Sequence, residues 1–377
     1  MSGEKIKTVL VILGTRPEAI KLAPVILDLR RQTGLNVLVC NTEQQKELSN
    51  QTLGFFGLKA DINLDVMKPN QTLAGVQSII LQKLSDVFAT HKIDAVIVQG
   101  DTMSVFCGAL AAFYNRVPVF HVEAGLRSYD LFEPFPEEAL RQMTTRLAAL
   151  HFAPTEANVN ALLKENIAPE KIVLTGNTVI DALKCLSPDV LKQSAQDLEH
   201  KGVCLNDKLV LVTVHRRENH GERLAHILKA VKHLSEAYPD HQFVLPVHPN
   251  PNVKGKVFEA LSGVRNIILT DPLAYPQLVC LMQNAKLVLT DSGGIQEEAP
   301  TFGAPVLVMR YETERGEGVA AGFAKLVGAD TQRIIADADA ILSQDKAITR
   351  LDGSKNPYGD GCAAERITKV LHQFLEK

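Results

Sequence analysis

The sequence predicts an α/β protein built from two doubly wound, Rossmann-like domains that face each other across a cleft. Short Val/Ile/Leu runs alternate with longer amphipathic stretches, which is the pattern of parallel strands buried on both faces and joined by helices. At 377 residues the chain exceeds what one core usually supports, and roughly 150 residues per domain gives two. The rhythm breaks once, over a polar segment from Pro188 to Asp207, and then restarts with the pattern on which the chain began.

The first strand, Thr8 to Leu13, runs into Gly14-Thr15-Arg16-Pro17-Glu18, a basic glycine turn that opens a helix. Pro17 presets φ for the first helical turn, and the N–H groups and dipole of the new helix, with the planar fork of Arg16, predict an anion site above the strand end. Further strands are expected at Asn36 to Val39, Ala95 to Val98, Val117 to Val122 and Ala149 to Ala153. A helix-like stretch after Gly176-Asn177-Thr178 leads to the break. The second half places strands at Leu209 to Val214, Gln242 to Pro246, Asn266 to Leu269, Leu287 to Thr290 and Pro305 to Met309. Leu209 to Val214 again enters a basic turn, His215-Arg216-Arg217-Glu218, before a helix. Gly361 to Lys377 reads as a closing helix after Asn356-Pro357-Tyr358-Gly359.

Composition narrows the functional classes. The chain is 46% hydrophobic and 22% charged with a formal charge of -3, so no global field draws it to nucleic acid or an anionic membrane, and any phosphate binding must be local. Its six cysteines are scattered without a CxxC pair, which predicts reduced, mostly buried thiols and a cytoplasmic protein. The N-terminal apolar run is too short for a signal sequence, and no stretch approaches the ~20 apolar residues of a membrane span. A soluble, unprocessed protein is expected.

In open parallel sheets, ligands bind beyond the carboxyl ends of the strands, and polar residues just after strands are therefore the candidates. Arg16 follows the first strand, Asp101 follows Ala95 to Gly100, Glu123 follows Val117 to Val122, His215 and Arg216 follow Val214, and Asp291 and Ser292 follow Lys286 to Thr290. The segment Asp291-Ser292-Gly293-Gly294 is the best phosphate candidate: the glycines permit close backbone approach and Ser292 can cap the helix they open. Glu298, farther along, is an acceptor suited to two vicinal ribose hydroxyls. Neither a Walker P-loop nor a GxGxxG fingerprint is present, which argues against a nicotinamide enzyme. Pro136-Glu137-Glu138-Ala139-Leu140-Arg141 starts a helix with carboxylates favoured by its dipole, and Glu137 and Arg141 share one face. His215, His220 and His248 lack metal-ligand spacing, so no metal is expected.

Several ordered motifs then add a family resemblance. Gly14 to Lys21, Gly100-Asp101-Thr102, His121 to Arg127, Pro136 to Glu138 with Arg141, Gly176 to Ala182, His215 to Glu218, Asp291 to Pro300 and Asn356 to Gly361 together resemble the non-hydrolysing UDP-N-acetylglucosamine 2-epimerases, which interconvert that sugar nucleotide and UDP-N-acetylmannosamine. The resemblance implies the glycosyltransferase-B architecture: residues 1–178 as a first domain with the catalytic carboxylates, a helix 362–377 packing back on it, and residues 179–361 as a UDP-binding domain. It implies acid/base work by Asp101, Glu123 and Glu137, tuned by Lys21 and Arg141. Arg16 and His215 would stabilise the diphosphate, and Ser292, Gly293, Gly294, Glu298 and Arg315 would hold UDP. It further implies a homodimer that needs no cofactor or metal and supplies a cell-surface polysaccharide precursor.

The chain departs from the family pattern at Leu140, where Asn is usual, at Met103 within Thr102-Met103-Ser104-Val105, and over Tyr311 to Gly316. A related UDP-2-acetamido sugar is therefore an alternative substrate. A hydrolysing epimerase, a UDP-sugar glycosyltransferase and a non-catalytic UDP-sugar sensor are the rival readings, the last two disfavoured by three clustered carboxylates that neither requires. Family members are commonly activated by UDP-N-acetylglucosamine at a second site; the matching segment here includes Gln44, Gln45 and Glu47, with Gln45 in place of the usual His. Gln cannot become cationic, so weaker activation is expected.

Overall fold

A computed structural model describes residues 6–345 and 349–376; Lys377, the last residue of the expected closing helix, lies outside them. The chain forms two compact units that divide after Cys185 and again before Gly359. The first holds β1 (Lys7–Leu13), α1 (Arg16–Leu29), β2 (Leu35–Asn41), α2 (Lys46–Phe55), β3 (Ile62–Asn63), α3 (Leu73–Thr90), β4 (Ala95–Gln99), α4 (Met103–Tyr114), β5 (Val119–Val122), α5 (Glu137–Leu147), β6 (Leu150–Ala153), α6 (Glu156–Lys164), β7 (Ile172–Leu174) and α7 (Thr178–Cys185). The second holds α8 (Pro188–His200), β8 (Leu209–Thr213), α9 (Glu222–Ala237), β9 (Gln242–Pro246), α10 (Pro251–Leu261), β10 (Ile267–Thr270), α11 (Tyr275–Asn284), β11 (Ala285–Thr290), α12 (Gly293–Glu298), β12 (Val306–Val308), α13 (Gly316–Ala320), β13 (Ala324–Leu326) and α14 (Thr331–Leu342), after which α15 (Ala363–Leu375) rejoins the first.

Each unit is one parallel sheet wrapped in helices. The first sheet has the strand order β3-β2-β1-β4-β5-β6-β7 and the second β10-β9-β8-β11-β12-β13. In both, the chain starts in the middle and builds outward in one direction and then the other. The order therefore reverses between β1 and β4, and between β8 and β11, and at such switch points the flanking loops part to leave a crevice. Alternation along β1 builds the core: Leu10 and Ile12, with Val96 and Val98 of β4, pack against Ile80 and Leu84 of α3 and Val105 and Ala109 of α4. The second unit repeats this with Val210, Val212, Leu287 and Leu289 against Leu224, Ile227 and Val231 of α9.

The structure corrects the expected segmentation in two places. Three strands that the apolar pattern does not announce, β3, β7 and β13, are present, and all three lie at sheet edges. They are two or three residues long and only half covered, so they lack the continuous apolar run of a central strand. The first unit also extends past Thr178 to Cys185, because α7 is tied to both α1 and α15. Asp181 Oδ1 accepts from the Ala364 N–H at 2.8 Å, Lys184 Nζ donates to the Asp360 carbonyl at 2.6 Å, and Arg366 donates to the Thr175 carbonyl at 2.8 Å. The ring of Phe374 on α15 meets Phe120 of β5 edge-on at 5.1 Å.

Candidate active site at the strand ends

At the switch point of the first unit, the loops after β1, β2 and β4 are woven together by hydrogen bonds. Gln45 donates its backbone N–H to the Gly14 carbonyl at 2.7 Å, Thr42 Oγ1 meets Ser104 Oγ at 2.7 Å, and the Ser104 hydroxyl donates to Gln44 Oε1 at 2.9 Å. Gly14 has no room for a side chain here, since a Cβ would stand 2.0 Å from Thr42 Oγ1. The helix N-terminus that was expected to await an anion is already served by the protein. Glu18 Oε2 accepts from the Gly14 N–H at 2.6 Å and the Thr15 N–H at 2.9 Å, and Gln45 Oε1 accepts from the Arg16 N–H at 3.0 Å. What α1 presents outward is the half-buried Arg16 side chain, a point of positive charge.

Glu18 is the residue that the strand-end argument missed. It is 2% exposed, and its Oε1 accepts the hydroxyl of Thr102. Burial raises its pKa to about 7, against the pull of the Thr102, Gly14 and Thr15 donors and with a push from neighbouring Asp101. Its signal was the Thr15-x-x-Glu18 spacing, the acceptor half of a capping box.

Three carboxylates follow. Asp101, directly after β4, accepts from Arg141 Nε at 2.7 Å. Glu123 sits after β5 with φ 62° and accepts from Lys21 Nζ at 2.6 Å and from Gln99 Nε2 at 2.7 Å. Glu137 opens α5 and is half-buried. Arg141, which shares a face of α5 with Glu137, reaches Asp101 and, through Nη1, Glu138 at 2.9 Å. Glu138 is fully buried; burial disfavours its charge, but Gln142, the Ser128 N–H and Arg141 together hold its pKa below the ordinary value. Upstream, His121 donates from Nε2 to the Gly100 carbonyl at 2.8 Å. Burial lowers the pKa of this imidazole to about 4, so it braces the Asp101 loop as a neutral donor.

In the second unit, the counterpart of that loop is anchored by Asp291. This fully buried carboxylate accepts from the N–H groups of His215 at 3.0 Å and Arg216 at 2.9 Å and from Asn219 Nδ2 at 3.0 Å. His215 Nδ1 lies 3.2 Å from Asp291 Oδ1. Burial lowers the pKa of His215 although Asp291 pulls it upward, which leaves a neutral ring oriented by its carboxylate partner. Ser292 precedes α12 but its hydroxyl makes no cap bond, contrary to expectation; its N–H donates instead to Thr290 Oγ1 at 2.9 Å. A Cβ at Gly293 would stand 2.9 Å from the Arg315 guanidinium carbon and push that side-chain tip aside, whereas one at Gly294 would meet Glu298 at an ordinary contact distance of 3.5 Å. Arg315 is held by Glu297 at 3.0 Å and by Glu314. Glu314 also accepts from Arg310 at 2.9 Å, and although burial opposes its charge, Arg315, Arg310 and Arg216 lower its pKa to about 2. The Tyr311 to Gly316 departure thus keeps a fixed anion among three guanidiniums beside the glycine turn.

Of the second-site residues, Gln44 and Gln45 are the loop acceptors described above, and Glu47 is exposed in the first turn of α2. Leu140 and Met103, the other departures, are buried in the hydrophobic core of the first unit. Among the described residues no group of three His, Cys, Asp or Glu side chains is placed to hold a metal ion, and no helix is long and apolar enough to cross a membrane.

Residues 27–372 match the family of UDP-N-acetylglucosamine 2-epimerases. The chain belongs to that family. It is 46% identical over 368 residues to the epimerase of Neisseria meningitidis serogroup A, covering 96% of this chain and 98% of the relative. It is 45% identical over 368 residues to that of Escherichia coli K12, with 96% and 98% covered. The crystal structure of the Neisseria meningitidis enzyme bound to UDP-N-acetylglucosamine superposes with a TM-score of 0.90 over 97% of this chain and all 100% of that one, at 45% identity. The Methanocaldococcus jannaschii enzyme, in complex with UDP-N-acetylglucosamine and UDP, gives 0.82 at 33% identity, covering 97% and 99%. The glycotransferase of kitacinnamycin, only 13% identical, shares the fold with a TM-score of 0.64. The two parallel-sheet domains are therefore of the glycosyltransferase-B class, in an enzyme of the epimerase family.

The raised pKa of Glu18 makes stability depend on pH. A carboxyl whose folded pKa exceeds its unfolded value, here about 7 against 4.5, contributes fully below the unfolded value, and that contribution fades as pH rises to the folded one. Relative to Glu18→Gln, wild-type unfolding free energy should fall by on the order of 3 kcal/mol between those two pH values and stay level above them. Denaturant titrations of both proteins across that range check it; a difference that does not change with pH contradicts it.

Proposed function

We propose that this enzyme reversibly converts UDP-N-acetylglucosamine to UDP-N-acetylmannosamine, without hydrolysis, by eliminating and re-adding UDP. The observation that carries this reading is the set of strand-end carboxylates in the first unit: Asp101 held by Arg141, Glu123 held by Lys21, and Glu137 at the start of α5. It is supported by relatives solved with UDP-N-acetylglucosamine or UDP bound. The proton at C2 of an N-acetylhexosamine is not α to a carbonyl and is feebly acidic. Elimination removes that difficulty. A carboxylate takes the C2 proton, the electron pair of that C–H bond becomes the C1–C2 double bond, and the C1–O bond breaks with its electrons leaving on the diphosphate. The glycal so formed is attacked at C1 by the same diphosphate oxygen while a protonated carboxyl delivers a proton to the opposite face of C2.

Such chemistry needs proton carriers for two faces and groups that stabilise the departing diphosphate. Asp101, Glu123 and Glu137 are assigned the first task, with Lys21 and Arg141 positioning them. Arg16 and His215 are assigned the diphosphate; His215, neutral and oriented by Asp291, would take up positive charge as the anion develops. Ser292, Gly293, Gly294, Glu298 and Arg315 would hold UDP. Because Leu140 and Met103 are absorbed into the core, they do not argue for a different sugar. The same reading makes the enzyme a cytoplasmic homodimer that supplies a polysaccharide precursor.

Incubation with UDP-N-acetylglucosamine alone, followed by anion-exchange separation of the sugar nucleotides, should yield the 2-epimer with no free sugar. Asp101→Asn, Glu123→Gln and Glu137→Gln should each lower turnover by roughly 10²–10⁴-fold while UDP affinity is kept, whereas Ser292→Ala and Glu298→Ala should weaken UDP binding. Near wild-type turnover in the three carboxylate variants would identify them as ion-pair residues only.

We also propose that Gln44, Gln45 and Glu47 belong to a second sugar-nucleotide site whose activating effect is weak. Gln45 supports the reading in two ways: it cannot become cationic, and its side chain reaches the Arg16 N–H, next to the diphosphate cation. Turnover of UDP-N-acetylmannosamine should therefore proceed without UDP-N-acetylglucosamine and rise only modestly when a trace is added. An absolute requirement for the trace would contradict it.

A further inference from the structure

The Glu18 carboxylate spans two loops that the reaction would need in fixed register. From α1 it reaches back to the Gly14 and Thr15 N–H groups and across to the hydroxyl of Thr102, the residue directly after Asp101. Asp101 is thus secured on three sides: its carboxylate by Arg141 of α5, the carbonyl before it by His121 of β5, and the residue after it by Glu18. The third joins the turn after β1 directly to the residue that follows Asp101, in addition to the β1–β4 strand pairing and the loop bonds through Gln44, Gln45 and Ser104.

We propose that Glu18 is a positioning residue for the reaction, acting through Thr102 to fix Asp101 relative to Arg16. The proposal rests on the epimerase reading and extends it to a residue that touches no substrate. A bland account is available: Glu18 serves the capping box of α1 and stabilises that helix alone. The Thr102 contact separates the two accounts, because capping α1 does not need it. A buried carboxylate held by donors on two separate loops sets their spacing, and misplacing a reacting group by about 1 Å can cost roughly 10²-fold in rate. The tie tolerates either charge state. When Glu18 is ionised, Thr102 donates to it; when protonated, its O–H can donate to Thr102 Oγ1. Glutamine would preserve the same contacts, its carbonyl facing the two N–H groups and its amide facing Thr102. The charges around this carboxyl come from several elements: Asp101 after β4, balanced by Arg141 of α5, and Lys21 on α1, balanced by Glu123 after β5.

The test is a double-mutant cycle read in kcat for UDP-N-acetylglucosamine epimerisation, with the Kd for UDP measured alongside. Glu18→Ala and Thr102→Val should each lower kcat by about ten-fold or more with UDP affinity within about two-fold of wild type, and the double variant should lose no more than about the larger single loss. Glu18→Gln should stay within about three-fold of wild type, since it keeps the contacts. Thr102 also caps α4, through the Val105 N–H at 3.4 Å. A loss due to that cap would be independent of Glu18 and would add in the double variant. Additive losses, unchanged kcat in Thr102→Val, or a Glu18→Gln variant as impaired as Glu18→Ala would each overturn the proposal. If Glu18→Ala does not fold, Thr102→Val against Thr102→Ser decides: a loss in Val that Ser does not share supports the tie, and equal behaviour refutes it. Active wild type with unimpaired variants defeats the tie alone. Inactive wild type defeats the epimerase reading and the tie with it.

Discussion

A carboxylate withdrawn from water must be met by donors or cations, because leaving one buried and unpaired is strongly destabilising. This requirement organises both strand-end clusters. In the first unit Arg141 stands between Asp101 and Glu138. Glu138 is sealed in and held by backbone and amide donors, so Arg141 cannot swing away to solvent without abandoning a buried anion. Asp101 thereby gains a fixed partner while its own side chain stays about one-quarter exposed. The orientation of the Asp101 carboxylate thus comes from the sealed Glu138 end of its chain of charges. Lys21 and Glu123 pair one strand over with both side chains about nine-tenths buried, and Gln99 is an extra donor.

The second unit solves the same problem with neutral donors. The hydrogen bonds to Asp291 come from two backbone N–H groups and an Asn amide, with the His215 ring beside it. The arrangement fixes the turn after β8 to the turn after β11 across that unit's switch point, and it delivers a neutral imidazole whose second nitrogen can face a ligand. Farther along, the Arg216, Arg310 and Arg315 guanidiniums converge on Glu314. That cluster keeps positive charge near the glycine turn while its buried anion limits how far the guanidiniums can move.

The architecture was legible in the sequence wherever burial on both faces left a continuous apolar run. Val9 to Ile12, Val96 to Val98 and Leu287 to Leu289 announce central strands for that reason, and the polar residues that follow them mark the switch points. Edge strands such as Ile62–Asn63 are too short and too exposed to leave a trace. The strand-end positions of Arg16, Asp101 and Glu123 in the first unit, and of His215 and Ser292 in the second, followed from the apolar runs before them. Their partners did not. Choosing Glu138 over Glu137 as the buried member of the pair depends on the rotation of α5, which two adjacent carboxylates in a first turn do not reveal. The Arg141 to Asp101 bond joins residues forty positions apart, beyond the reach of helical spacing, which tells only that Glu137 and Arg141 share a face. The filling of the α1 N-terminus by Glu18 and Gln45 was hidden for the same reason: half of the arrangement comes from the loop after β2.

The central claim is that a carboxylate of this enzyme takes the proton from C2 of the sugar and that a carboxyl returns one to the opposite face. NMR of the C2 position after turnover of UDP-N-acetylglucosamine in D₂O tests this most directly. The account predicts solvent deuterium at C2 of the UDP-N-acetylmannosamine formed, since a carboxyl proton exchanges with water, together with deuterium at C2 of the UDP-N-acetylglucosamine that returns through the reverse reaction. Formation of the epimer with its original C2 hydrogen retained would contradict it.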